Sequence, residues 1–173
     1  MFDPVYCRGS GRVRQRFPSS RLAMAAGLLL STTTWVTAID LLKTSRTTYR
    51  GEVLRADAET VLIELESGNR IGVPRKSIIR SRVEPDPEVL KGIETFDQGD
   101  IPGAYGQLLK SVPRFYGVDA DWVVNGAIRL GHAAIGLKKY EDAEKVFRTI
   151  EKLHPNHPLI LGAYVGRARV RLE

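Results

Sequence analysis

Along residues 39–84 apolar and polar positions alternate. In residues 60–66, Val61, Ile63 and Leu65 fall on one face and Glu64 and Glu66 on the other, the period of a half-buried strand. Residues 48–55 form a second such run, and Ile71 with Val73 share a face in a third. Pro74 cannot donate to a ladder and marks a strand end. Residues 77–83 make a short last strand and residues 41–44 a first one, so five strands are expected in about 45 residues. Turn residues separate them at 56–59 and at Ser67-Gly68-Asn69. Strands this short and closely spaced bury a core best by curling into a small barrel.

From residue 88 the period becomes helical. Tyr140, Ala143, Phe147 and Ile150, flanked by Val146 and Leu153, predict an amphipathic helix over 140–153 that His154-Pro155 ends. Residues 122–137 predict a second helix, capped by Asp119 or Asp121. The turn at Lys138-Lys139 makes the two an antiparallel hairpin. Residues 88–99 and 104–112 imitate the same unit, and about five extra residues fall at 113–118. Residues 158–172 read as the first helix of a third unit that stops unpaired and acts as a cap, or else the chain is a piece of a longer protein. The organisation expected is therefore a β module at 39–84, a stiff polar linker at 85–87 and helical repeats at 88–173.

The first 38 residues follow neither period. Arg8, Arg12, Arg14, Arg16 and Arg21 precede an apolar run over 22–30, and Val36-Thr37-Ala38 comes after it with small residues. That order describes a secretory signal peptide cleaved before Ile39. The competing readings are an uncleaved inner-membrane anchor over 22–42, weakened by four consecutive Ser/Thr and by Asp40, and a basic arm that binds nucleic acid. The protein is thus expected to be exported to the periplasm. The leader also explains most of the basicity. The chain carries 26 Lys and Arg, of which 5 lie in the leader and 21 beyond it; of its 20 Asp and Glu, 1 lies in the leader and 19 beyond, so the formal charge falls from +6 to +2. Cys7, the one cysteine, precedes the apolar run and is excluded as a lipoprotein acceptor.

Two resemblances arise from these residues. The order Leu41-Leu42-Lys43-Thr44, Thr48 to Val53, Val61 to Glu64, Gly68 to Pro74 and Ile78 to Arg80 resembles the SH3-like or Sm-like small barrels of bacterial exported proteins, which often precede helical repeats. Leu130-Gly131, Ala143, Phe147 and Pro155 resemble the tetratricopeptide repeat (TPR), with Ala127 where the pattern has Trp and Ala134 where it has Tyr. Together they imply β then α, two small domains, in which a five-stranded SH3-like barrel is followed by antiparallel helix hairpins of an α-solenoid. Arrays of the TPR kind bind proteins or peptides along a groove lined by the first helix of each hairpin. In this chain that face would present Asn125, Ile128, Arg129, His132 and Ile135, with Ile128 and Ile135 equally readable as core. Asn125 and Arg129 offer donors to a main-chain or carboxylate group.

Catalytic chemistry is not legible. Three histidines show no His-x₃-His or His-Glu-x-x-His spacing, and no Gly-x-Ser-x-Gly elbow or Gly-Lys-Ser/Thr phosphate loop occurs. No catalytic, metal or cofactor site is assigned. The expectation is a non-enzymatic exported scaffold for a protein or peptide partner. Its rival is a cytoplasmic nucleic-acid-binding small barrel using Arg75, Lys76, Arg80 and Arg82. That rival suffers from having Tyr49 as the module's one aromatic, since RNA-binding sheets stack bases on rings. Membrane contact is expected through the N-terminal segment alone, if it is retained.

Overall fold

The computed structural model describes residues 39–173, and the leader, its cleavage site and Cys7 lie outside the described residues. Five strands come first: β1 Asp40–Thr44, β2 Thr48–Ala56, β3 Thr60–Leu65, β4 Arg70–Pro74 and β5 Ile78–Arg82. All pairings are antiparallel, in the order β4-β3-β2-β1-β5. The alternation seen in the sequence sets the faces, so Leu42, Val53, Val61, Ile63 and Val73 are buried together. Between β3 and β4 the chain turns through Gly68 at φ 81°, a left-handed conformation that glycine adopts without a Cβ clash. Asp40 ties β1 both to β2 and to the chain leaving β5. Its buried carboxylate accepts hydrogen bonds from the backbone N–H of Val53 and of Glu84, both at 2.8 Å.

The closed barrel expected from the strand count does not form. No ladder joins β4 to β5 among the described residues, and the sheet is open between them. Pro74 ends β4 without a donor, and a 3-10 turn over Arg75–Ser77 carries the chain across the gap. The segment 115–118 packs beside the sheet, with Phe115 and Val118 buried and Gly117 against the backbone of Ala56 and Asp57.

Five helices complete the chain: α1 Pro87–Asp97, α2 Ile101–Ser111, α3 Asp121–Gly136, α4 Tyr140–Leu153 and α5 Ile160–Val170. Asp86 caps α1 by accepting from the N–H of Glu88 and Val89, and Asp100 caps α2 by accepting from the N–H of Gly103. The expected cap on α3 does not form. Ala120 holds that position in extended backbone, and neither Asp119 nor Asp121 bonds the helix N-terminus. The extra residues between the hairpins are a 3-10 segment, Val112–Phe115, and the turn after it.

Close contacts fix the packing. A Cβ at Gly92 would lie 2.6 Å from Leu108, which holds α1 against α2. A Cβ at Gly131 of α3 or at Gly166 of α5 would fall on the ring of Phe147, which is fully buried between them. Thus α4 is clamped by small residues on both sides. α1 and α3 touch, as do α3 and α5, so these three helices lie side by side. α5 leaves Leu161 and Val165 exposed on its remaining side. Among the described residues no helix is long and apolar enough to cross a membrane.

Strands and helices share one core that runs from Leu42 and Ile63 through Val118 and Leu130 to Ile150. Polar links reinforce it. The Gly117 N–H donates to the Ala56 carbonyl at 2.9 Å, and Trp122 Nε1 donates to the Val83 carbonyl at 3.2 Å.

Candidate functional site

Asn125, Ile128, Arg129 and His132 recur at the spacing of one helix face, and α3 places all four half-buried where α1 and α5 flank it. Arg129 is the centre of this face. Its Nε and Nη2 donate to Oδ1 and Oδ2 of Asp97 on α1, at 3.0 and 3.3 Å, and its Nη1 donates to Asn125 Oδ1. Its guanidinium also lies over the Phe96 ring, 5.9 Å from the centroid. The fork is thereby held rigid, at the cost of part of its charge. Asp97 offsets it, so an incoming carboxylate gains less here than it would at a free guanidinium. Among the described residues the Asn125 amide N–H groups and the His132 ring nitrogens have no protein partner. These are the donors the face offers.

His132 stands edge-on to Phe147, with centroids 5.6 Å apart. Burial lowers its pKa below the ordinary value, and the neighbouring cations Arg169 and Arg129 lower it further, so the ring is neutral at neutral pH. Ile128 reaches α5, where a Cβ at Gly162 would lie 3.0 Å from its Cδ1. Ile135 is buried in the core and offers nothing to a ligand. Of the five, Asn125, Arg129 and His132 bring polar groups to the face. The reading of α3 alone missed Phe96, Asp97 and Arg169, because they come from helices whose register against α3 is set by packing.

Five cavities of about 250–540 Å³ on the described surface lie away from Asn125, Arg129 and His132. One of them, of about 500 Å³, lies at the gap in the sheet, where Leu42, Val61 and Ile78 line it together with Lys76, Arg80 and Asp119. Arg75 also borders it but is occupied. Its Nε donates to the Gly117 carbonyl at 2.9 Å and its Nη2 to the Leu153 carbonyl at 2.6 Å. That residue fastens the sheet to the helices.

A second polar cluster lies beside Arg75. The His154 ring is buried, with Nε2 at 2.7 Å from the Tyr116 carbonyl and Nδ1 facing Asp119 Oδ1 at 3.4 Å. A carbonyl accepts, so Nε2 carries the proton and Nδ1 is left without a hydrogen bond. His157 Nε2 lies 3.1 Å from Asp121. The two aspartates expected to cap α3 thus face histidines instead. Compared with protein-family models, curated proteins and solved structures, the chain has no significant match.

Proposed function

We propose that this chain is a non-enzymatic exported scaffold that binds an extended segment of a protein partner on the face shared by α1, α3 and α5. The observation that carries the reading is the placement of Asn125, Arg129 and His132 together on that face, half-buried. The preset Arg129 fork and the unpaired Asn125 donors favour main-chain carbonyl groups over an anionic side chain. In this reading the helices are TPR-like hairpins of a short solenoid, supported by Gly131, Ala143 and Phe147 at their crossings. The sheet is an opened SH3-like fold, supported by its strand order and by the 3-10 turn before β5. Export rests on the leader in the sequence, and an intact mass beginning at Ile39 tests it; a soluble chain retaining Met1 contradicts it.

Peptides selected for binding to the full chain test the face. The combined substitution Asn125→Ala, Arg129→Ala, His132→Ala is expected to weaken them by at least about tenfold, since one hydrogen bond to a charged donor is worth about 1.5–3 kcal/mol. Unchanged affinity with unchanged folding contradicts the proposal.

A further inference from the structure

The sheet has an end that the scaffold reading does not use. Ladder partners Lys43↔Arg80 and Thr44↔Ile78 bring residues 43–48 beside residues 76–80. Those two segments hold Lys43, Arg46, Lys76 and Arg80 and contain no Asp or Glu. Among the described residues none of the four cations makes an ion pair. Lys43 and Arg80 stand directly opposite each other on one face, an arrangement that destabilises a sheet. Charge on β5 alone would suffice to blunt an exposed edge. The opposed pair adds a cost that edge protection does not require.

Ile79, which lines one cavity with Lys76 and Arg80, is 68% exposed. The turn beside it is ordered, with Thr44 Oγ1 donating to the Thr47 carbonyl at 2.8 Å and accepting from the Thr47 N–H at 3.0 Å. An exposed apolar side chain next to Lys76 and Arg80, at a strand end that also carries Lys43 and Arg46, matches the boundary between the headgroups and acyl chains of an anionic bilayer. Nucleic acid fits less well. No aromatic residue occurs in either segment, and Tyr49 is paired with Leu42, whose side chain faces the core. Base stacking has no platform there.

We propose that this tip of the sheet docks the protein on an anionic phospholipid surface, with Ile79 entering the interface and Lys43, Arg46, Lys76 and Arg80 meeting lipid phosphates. The proposal is independent of the helical face. It is tested by partitioning of the full chain onto vesicles of equal parts phosphatidylcholine and phosphatidylglycerol, beside vesicles of phosphatidylcholine alone. The variant Lys43→Gln, Arg46→Gln, Arg80→Gln is expected to bind the anionic vesicles about a hundredfold more weakly and the neutral vesicles no differently. The N-terminal segment is common to both chains, so the difference reports the tip. Ile79→Asn, with every cation kept, is expected to cost about tenfold on the anionic vesicles. Equal partitioning of parent and triple variant overturns the proposal. So does tighter binding of the parent chain to single-stranded RNA than to the anionic vesicles at the same salt.

Discussion

His154 sits where three segments of the chain meet. The Tyr116 carbonyl takes its Nε2 proton in a hydrogen bond, Asp119 faces Nδ1, the cation of Arg75 is near, and the His157 ring lies 6.3 Å away. Burial is the largest influence and lowers its pKa below the ordinary 6.5; Arg75 adds to this, while the Tyr116 carbonyl and Asp119 oppose it. Folding therefore weakens proton binding, and the unfolded chain holds more protons below pH 6.5. The contribution of neutral His154 is complete above that value and is lost as pH falls toward the lower folded pKa. A group of this kind changes stability by up to about 1.4 kcal/mol per pH unit within its window. Replacing it by Gln keeps a donor for Tyr116 and removes the titration. Thermal melts of His154→Gln between about pH 7 and pH 5 are expected to fall less steeply than those of the parent. Parallel curves would mean that another group, such as His132, dominates acid sensitivity.

At the scale of elements, the helix pair α3 and α4 depends on size at one crossing. Phe147→Ala leaves a cavity between Gly131 and Gly166 and should cost about 3–5 kcal/mol. Gly131→Leu should also destabilise, because its side chain would occupy the place of the Phe147 ring. Calorimetry that finds either variant as stable as the parent contradicts this packing. These elements were readable from the sequence because their signals are local. The apolar spacing of 140–153 matches α4 residue for residue, and the Lys138-Lys139 turn is a left-handed residue at φ 58° followed by the helix start. Alternation likewise delivered all five strands. What the sequence hid is long-range. The acceptors of Arg75 lie 42 and 78 residues away and are carbonyl oxygens, which every residue has. Whether β4 meets β5 depends on how the sheet curls and on what else covers the gap, and no residue type encodes that. The like-charged pair Lys43 and Arg80 became visible only once the register was known.

At the scale of the whole molecule, the sheet and the helices are joined by one core and by backbone links at Ala56, Val83, Gly117 and Leu153. The helical face and the sheet tip are built from different elements, so substitutions test the two proposals separately. Residues 85–173 hold 12 basic and 12 acidic side chains, which leaves the helical face without long-range attraction for polyanions and makes contact chemistry decide its partner. The central claim is that an extended peptide lies across α1, α3 and α5. An amide chemical-shift map of the full chain, titrated with a selected peptide, addresses it directly. The expected shifts are concentrated at Asp97, Asn125, Arg129 and His132 and their neighbours on those three helices. Shifts confined to the sheet tip, or to the outward surfaces of α2 and α4, would contradict the account.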